Sequence, residues 1–293
     1  MRPNTAMTLD YAQRFIFDDT DIRGELVHLE HSMQAVMAHQ AYPSAVRQLL
    51  GEFLAASVLL GSTVKFNGRL VLQVRSEGSV RLLVAECQHD GHIRGIARFS
   101  ELLGDESFAE ILRQGTLVIT IEPAVGQSYQ SLVPLTGVNL AACLEYYFQQ
   151  SEQLATRIWL AADAERAGGL LLQQLPRQLV TDPEARARQW QHSVILAATT
   201  TSDELLGLGT GELLRRLYVE DPLRMLALKP ISFRCSCSAT RTANALLLLG
   251  QTEVDALFAE QPEVEMACEF CGAQYRFTQD SLAAVVRAGE IPH

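Results

Sequence analysis

Apolar and polar residues alternate along residues 60–135, the pattern of strands with one buried face. Asn67-Gly68 suits a two-residue type I′ turn inside TVKFNGRLVLQVR, because both turn positions need positive φ. Gly, Pro and Asp separate the later stretches, which predicts an antiparallel meander. The alternation continues in SVRLLVAEC, HIRGIARF, TLVITIEP and YQSLVPL.

Helical periodicity flanks this predicted sheet. Apolar residues recur at intervals of three and four in SAVRQLLGEFLAASVLLG before it and in GVNLAACLEYYFQQSEQL after it. Two more apolar stretches, TRIWLAAD and GGLLLQQLP, are typical of strands, and the second ends at Pro176. These elements predict an α+β fold, with an N-terminal sheet-and-helix domain over residues 1–180.

The pattern changes after residue 180. Residues 181–229 show helical periodicity alone, in segments broken by glycines and by Asp221-Pro222, which predicts a helical linker. Residues 230–293 combine helical segments with EVEMACEFCGAQYRFT, which is typical of a hairpin. We therefore expect a small C-terminal α+β domain that holds four of the six cysteines.

Composition narrows the function classes. The chain has 293 residues, enough for two or three folding units, and is 48% hydrophobic and 20% charged, as in globular proteins. Its formal charge of −10 repels phosphate backbones and anionic lipid. Residues 230–293 hold four arginines and eight acidic residues, a charge of −4, which argues against a nucleic-acid-binding zinc module. We expect no nucleic-acid partner.

Membrane and secretion signals are not expected. The N-terminal MRPNTAMTLDYAQRF lacks the apolar run of a signal peptide, and no later stretch is expected to reach the ~18 apolar residues of a membrane span. These features predict a cytoplasmic protein with no membrane partner. In that reducing compartment, paired cysteines are more often metal ligands or redox groups than structural disulfides.

The paired cysteines point to a metal site. Zn²⁺ prefers four tetrahedral ligands, and Cys235, Cys237, Cys268 and Cys271 supply such a set for one ion per chain. Gly272 follows the C-x-x-C half, where a metal-binding turn often needs unusual φ. The alternatives are two independent pairs with no metal, or buried cysteines that act as small apolar side chains.

A metal would dominate the stability of this region. A unit of about 60 residues rarely obtains more than ~3–5 kcal/mol from its own core. A structural zinc site in a small peptide is worth ~10–16 kcal/mol at neutral pH. Oxidants attack thiolates, so oxidation would expel the metal, unfold the unit and act as a reversible switch. We expect Cys87 and Cys143, in apolar segments, to be buried and inert.

The cysteine order C-x-C-x₃₀-C-x-x-C resembles the C-terminal pattern of the heat-shock protein 33 family of redox-regulated bacterial chaperones. The resemblance extends over about residues 15–280. Similar segments follow in the family's order: FIFDDTDIRGELVHL with its Arg23-Gly24-Glu25 turn, LGEFLAASVLL, KFNGRLVLQV, GTLVITIEP, YQSLVPL, LEYYFQQSEQLAT and FRCSCSATR.

The resemblance implies a non-enzymatic, ATP-independent holdase that prevents aggregation of unfolding proteins under oxidative stress. Its reduced form would bind zinc and be inactive. Its oxidised form would lose zinc, unfold the switch domain and linker, and form a homodimer. The four cysteines would be the zinc ligands, and the implied disulfides are Cys235–Cys237 and Cys268–Cys271.

Apolar residues of the linker helices are the predicted client-binding surface, because exposed apolar surface binds unfolding proteins. In the reduced form these faces should pack on the N-terminal domain, so plain core packing is the alternative for each. The residues are Trp190, Ile195, Leu196, Leu205, Leu206, Leu213, Leu214 and Leu217.

A thiol-disulfide oxidoreductase that uses Cys268 and Cys271 is the second hypothesis. Such an enzyme usually presents its C-x-x-C at a helix N-terminus, where the thiolate is stabilised. MACEFCGAQYRF predicts a strand, a turn and a strand instead.

Overall fold

The computed structural model describes residues 10–63, 67–100 and 106–289, with side-chain surroundings as far as residue 285. The chain divides into two compact units, residues 1–233 and 234–293. Each unit combines helices with strands around its own apolar core, so the predicted α+β class is confirmed.

The first unit contains twelve strands among its described residues. They are β1 (Tyr11–Phe17), β2 (Ile22–Leu29), β3 (Gly68–Arg75), β4 (Val80–Gln88), β5 (His92–Phe99), β6 (Thr116–Pro123), β7 (Tyr129–Pro134), β8 (Thr156–Ala162), β9 (Ala167–Gln174), β10 (Leu223–Met225), β11 (Lys229–Pro230) and β12 (Ser232–Phe233). Its helices are α1 (His31–Met37), α2 (Ser44–Thr63), α3 (Phe108–Ile111), α4 (Leu140–Tyr147), followed by a π-helical turn (Phe148–Glu152), α5 (Pro183–Ala197), α6 (Ser202–Gly207) and α7 (Thr210–Leu217).

These strands form two sheets. The first has the order β10-β1-β2-β9-β8, with β11 also paired to β1, and the second has the order β12-β5-β4-β3-β6-β7. Neighbouring strands are antiparallel except for the short parallel pair of β12 and β5. The strands predicted from alternation are therefore present, but some of them pair with strands that lie far away in sequence.

Two expectations for the second sheet are wrong. The chain does not run as a simple meander, because β6 follows β5 in sequence but pairs with β3. The hairpin at Asn67-Gly68 is also absent: Thr63 ends a helix, and β3 has β4 on one side and β6 on the other. Residues 64–66, the rest of its predicted first strand, lie outside the described residues.

Helix α2 is the core element of the first unit. It contacts strands of both sheets, and its apolar residues are buried around most of its circumference. Its 20 residues are long enough, and apolar enough on average, to cross a membrane by length and composition alone, which the sequence analysis did not anticipate. About 67% of its most apolar 18-residue stretch is buried inside the protein, as expected for the core helix of a globular domain.

Helices α5, α6 and α7 pack on the first sheet. Their apolar residues join Phe15, Phe17, Leu170 and Leu172 of that sheet in a second core cluster. Asp182 and Thr201 begin α5 and α6 as N-caps, each with a side-chain oxygen that accepts a backbone N–H bond. The apolar faces of these helices therefore cover one face of the first sheet.

The segment after α7 returns to both sheets. β10 and β11 pair with β1, and β12 pairs with β5 immediately before the boundary at residue 233. The pairing was not predicted, since strands of two or three residues carry too little alternation to be recognised. The last residues before the cysteines thus belong to the sheets of the first unit.

Gly24 on β2 faces the ring of Phe15 on β1. A Cβ at position 24 would lie 2.0 Å from the Phe15 Cζ, so we expect Gly24→Ala to destabilise the fold by about 1–3 kcal/mol through overpacking. Gly211→Ala on α7 is the control: its nearest neighbours would lie at 3.7 Å, and a helical alanine should stabilise by roughly 0.5–1 kcal/mol. Denaturant unfolding measures both, and equal effects would contradict the packing explanation.

The second unit has a small core. Its elements are α8 (Ala239–Leu247), α9 (Gln251–Glu260), β13 (Val264–Ala267), β14 (Gln274–Phe277) and α10 (Gln279–Gly289). β13 and β14 form the predicted hairpin. Six buried apolar residues make up its core: Ala243, Leu246, Val254, Val264, Phe277 and Leu282.

Candidate metal centre

The C-x-C half of the cluster lies in the loop that enters α8. The Ser238 hydroxyl caps this helix by accepting a hydrogen bond of 3.2 Å from the Arg241 backbone N–H. The Arg241 side chain donates to the carbonyl and hydroxyl oxygens of Ser236, each at 2.8 Å. Ser236 separates Cys235 from Cys237, so these bonds hold the backbone that carries both sulfurs.

The C-x-x-C half lies in the turn between β13 and β14. The Cys268 N–H donates to the Ala273 carbonyl at 2.8 Å, and the Cys268 carbonyl accepts from Cys271 and Gly272 at 3.3 and 2.7 Å. Gly272 has φ of 68°, which confirms the positive φ expected after the second cysteine. The turn therefore presents two sulfurs on a tightly hydrogen-bonded backbone.

The four sulfurs meet at one place. All four Sγ atoms lie within 4.8 Å of one another, and each cysteine is half-buried. Two separations cross between the halves: Cys235 Sγ to Cys268 Sγ is 3.7 Å, and Cys237 Sγ to Cys271 Sγ is 3.4 Å. Zinc–sulfur bonds of about 2.3 Å in a tetrahedron would give sulfur–sulfur edges of about 3.8 Å. The donor set fits a tetrahedral, thiophilic ion.

The electrostatics of the four thiols favours a cation among them. Burial opposes ionisation of Cys237, but hydrogen bonds from Tyr275 and the other thiols lower its pKa to about 7. Burial, together with thiol contacts, raises the pKa of Cys271 to about 12, and burial also raises the pKa of Cys235. Ionisation is therefore favoured at Cys237 and opposed at Cys235 and Cys271, and a dication bound by the sulfurs would remove that opposition.

Tyr275 contributes a contact that the sequence analysis did not anticipate. Its hydroxyl donates to the Cys237 sulfur at 3.1 Å from the neighbouring strand β14. This bond raises the pKa of Tyr275 to about 12, because a deprotonated phenol could no longer donate. Its position four residues after Cys271 places it near the turn, but only the hairpin register aims it at the sulfur.

The remaining cysteines lie outside the cluster. Cys87 and Cys143 are both buried in the core of the first unit, which confirms the predicted burial. Burial raises the pKa of the Cys87 thiol to about 12 and also raises that of Cys143. None of the six cysteines, all within the described residues, forms a disulfide.

Comparison with known proteins gives the family. The family model described as Hsp33 protein matches residues 10–278. The chain belongs to the Hsp33 family. Its predicted resemblance to that family is thereby confirmed, on a match that includes all four clustered cysteines.

Hsp33-family relatives match over nearly their full length. A 33 kDa chaperonin of Pseudomonas aeruginosa strain LESB58 is 50% identical over 277 residues, covering 94% of this chain and 93% of the relative. That of Pseudomonas savastanoi pv. phaseolicola is 48% identical over 285 residues, covering 96% and 95%. The Thermotoga maritima 33 kDa chaperonin crystal structure has a TM-score of 0.78 at 21% identity, covering 95% of this chain and 98% of that chain, and supports the fold.

The predicted client-binding residues of this Hsp33-family chain are mostly covered. Four are buried, three pack against the second core cluster while partly exposed, and Ile195 is 57% exposed. Their role in client binding stays a prediction. The buried four are Leu205, Leu206, Leu213 and Leu214, and the partly exposed three are Trp190, Leu196 and Leu217.

Asp21 anchors the start of the linker helices. Its buried carboxylate accepts backbone N–H bonds from residues 178–180 at 2.9–3.3 Å and pairs with Arg186 of α5 at 2.5 Å. Burial opposes its ionisation, but these hydrogen bonds and the Arg186 charge lower its pKa. No local pattern predicted this contact, because Asp21 lies at least 157 residues before its partners.

Proposed function

We propose that the chain is a redox-regulated, ATP-independent holdase whose reduced form binds one Zn²⁺ at Cys235, Cys237, Cys268 and Cys271. The observation that carries this proposal is the meeting of four sulfurs within 4.8 Å in a unit with a small core. Family membership supports the chaperone role. When bound, the ion would cross-link the loop before α8 to the β13–β14 turn.

Oxidation would remove the four thiol ligands by joining them in two disulfides. Four thiols and two molecules of hydrogen peroxide yield two disulfides and four waters, as each S–S bond forms while one O–O bond is reduced. We propose the pairs Cys235–Cys237 and Cys268–Cys271, following the family resemblance. The short sulfur separations between the halves leave crossed pairs geometrically open, so peptide mapping of the oxidised protein decides between them.

Loss of the metal site is proposed to release the linker. The second unit begins at residue 234, directly after β12, so its unfolding removes the ordered structure that follows this strand. Helices α5 to α7 would then separate from the first sheet and expose the apolar residues of their shared core cluster. That surface is the proposed binding site for unfolding client proteins.

The proposal includes three functional regions and their partners. Residues 1–180 form the substrate-binding and dimerisation domain, residues 181–229 the linker, and residues 230–293 the redox switch. Clients are unfolded or partly unfolded proteins, and the oxidised form is a homodimer. The net charge of −10 and the burial of α2 support a cytoplasmic protein without nucleic-acid or membrane partners.

The direct test uses the purified, zinc-loaded, reduced protein. Peroxide at raised temperature should release zinc to a coloured chelator and then suppress aggregation of a heat-denatured client. Thiol reduction with added zinc should reverse both effects. Zinc release without any gain in aggregation suppression would overturn the proposed function, and turnover in insulin reduction would favour a thiol oxidoreductase instead.

Tyr275→Phe is expected to speed oxidative metal release about threefold to tenfold. The variant keeps the ring but removes the hydrogen bond to the Cys237 sulfur. In the zinc-loaded protein the metal would still hold this sulfur as a thiolate, and a thiolate without the hydrogen bond attacks peroxide more readily. Stopped-flow mixing with peroxide and a coloured chelator measures the rate. Tyr146→Phe, at a half-exposed position outside the cluster, is the control and should leave it unchanged.

A peroxide-free measurement separates this effect from simple loosening of the site. Metal transfer to a competing chelator without oxidant should change less than the oxidative rate in Tyr275→Phe. Equal acceleration of both rates would show that the hydroxyl holds the turn together rather than controlling sulfur reactivity.

A further inference from the structure

Residues 223–233, which we call the strap, form one edge of each sheet of the first unit. β10 and β11 pair with β1, whose other side is paired to β2. β12 pairs with β5, whose other side is paired to β4. If the strap were released, β1 and β5 would each present a row of unpaired backbone N–H and C=O groups.

Backbone hydrogen bonds hold the strap on β1. The Leu226 N–H donates to the Arg14 carbonyl, and the Ile231 N–H donates to the Asp10 carbonyl, each at 2.8 Å. Three residue pairs through β10 and two through β11 connect the strap to β1, against two to β5, so β1 is its main partner. Any extended polypeptide could make such bonds, because every residue except proline carries the same backbone donor and acceptor.

Few side chains of the strap are buried. Within the strap, all of which the structure describes, Ile231 alone is buried, and it belongs to the main core cluster. Leu223 and Phe233 are partly buried at its two ends, while Met225 and Leu228 are 49% and 50% exposed. A segment with few buried apolar contacts opens at low free-energy cost, so the strap is a low-stability element of the first unit.

The strap carries features that block further strand pairing. Arg224 and Lys229 place charges on the edge, and Pro230 has no backbone N–H. Because Ile231 donates toward β1 and strand N–H groups alternate in direction, the missing Pro230 N–H lies on the outer side. The sheet is therefore protected against edge-to-edge pairing while the strap is in place.

β1 has the opposite character. Its sequence YAQRFIF is rich in aromatic and apolar residues, which favour strands. It is paired to β2 over six residues, so it would keep its extended conformation after the strap had left. Loss of the linker helices would also uncover Phe15 and Phe17 on this strand, because those helices share a core cluster with both rings. A sheet edge and an apolar face would thus become available together.

We propose that the edge of β1 is a strand-acceptor site for an extended segment of an unfolded client protein. In the reduced form the strap occupies this site in place of a client. The strap lies between α7 and residue 234, so unfolding of the linker and of the second unit would free both of its ends. The inference rests on the proposed function and adds how clients without a common sequence are bound, since backbone pairing supplies the affinity.

The binding experiment uses the full chain and a fluorescein-labelled peptide with the strap sequence LRMLALKPISF as the probe. Fluorescence anisotropy should show saturable binding of this peptide to the oxidised protein. The reduced, metal-loaded protein should bind it about tenfold more weakly, because the apparent affinity falls with the fraction of molecules whose edge is open. Absence of saturable binding to the oxidised protein would overturn the proposal.

Two N-methylated peptides test strand pairing directly. Methylation at the Leu226 position removes the N–H that donates to Arg14 and should weaken binding about tenfold. Methylation at the Met225 position is the control, because this N–H points away from β1 and its loss should leave binding unchanged. Both peptides keep all their side chains, so equal binding would indicate apolar association without strand pairing and overturn the proposal.

Ile231→Ser should open the edge without oxidation. The substitution removes the buried side chain of the strap, so the reduced, metal-loaded variant should bind the peptide about tenfold more tightly than the parent. Leu228→Ser makes the same kind of change at a half-exposed position of the strap and should leave peptide binding unchanged. Equal peptide binding by the two variants would show that the strap does not occupy the acceptor site.

An aggregation assay on the same oxidised sample separates this inference from the proposed function. Suppression of client aggregation without peptide binding would overturn the strand-acceptor site and leave the holdase function. Peptide binding with the expected N-methylation pattern, but without suppression of aggregation, would refute the holdase function and leave the site. If the amides of β1 stay protected in an oxidised dimer that binds no peptide, a second copy's strap is the occupant, which also overturns the client assignment.

Discussion

Removal of the metal from the reduced protein is expected to unfold residues 234–293 while helix α2 and strands β1 to β9 of the first unit keep their fold. The six-residue apolar core of the second unit is the reason. A unit of about 60 residues obtains ~3–5 kcal/mol from such a core, whereas a structural zinc site supplies ~10–16 kcal/mol. Chelation under reducing conditions should abolish hydrogen-exchange protection beyond residue 234, and added zinc should restore it.

Cys271→Ser should reproduce this unfolding without a chelator, because three thiolates and a hydroxyl bind zinc much more weakly. Cys143→Ala is the matched control: it removes a thiol outside the cluster and should leave the metal content unchanged. A second unit that keeps its exchange protection in the metal-free, reduced protein would contradict the proposed switch.

Asp21→Ala is expected to destabilise the docked start of the linker by about 3–5 kcal/mol, the usual cost of removing one partner from a buried ion pair. The substitution leaves Arg186 and three backbone N–H groups without their carboxylate. Helix α5 should lose exchange protection, and the reduced protein should bind clients at temperatures where the parent does not.

The neighbouring pair of Asp18 and Arg224 provides the control. Its side chains are 34% and 66% exposed, and exposed pairs contribute about 0–1 kcal/mol, so Asp18→Ala should have little effect on α5. Because the pKa of Asp21 is lowered in the fold, its contribution is present at neutral pH and is lost as pH falls below its ordinary value of 3.8. Equal effects of the two variants would show that Asp21 is not a specific anchor.

Local patterns predicted much of the fold. Alternation located strands β4 to β7, apolar stretches located β8 and β9, and three- and four-residue spacing located α2 and the linker helices. The shortest strands were not predicted, because β11 and β12 contain only two residues each. The predicted hairpin at Asn67-Gly68 failed because turn chemistry describes local preference, while β3 is already paired on both edges.

The candidate metal centre was the most predictable site. Its ligands are close in sequence within each half, and thiolates at that spacing favour a tetrahedral ion whatever surrounds them. The Tyr275 hydroxyl was not predictable in the same way, because its bond to Cys237 depends on how the β13–β14 hairpin faces the loop before α8. The metal-binding chemistry of the cysteines could therefore be predicted from residue type and spacing alone.

The amino-acid sequence by itself determined the ligand type, the amphipathic faces of the linker helices and the α+β composition, because these depend on residue identity and spacing within one or two turns. The tertiary structure alone decided the strand order and the Asp21 anchor. Both join groups separated by many tens of residues. Such contacts are selected by packing and burial of the whole unit, which no local pattern encodes.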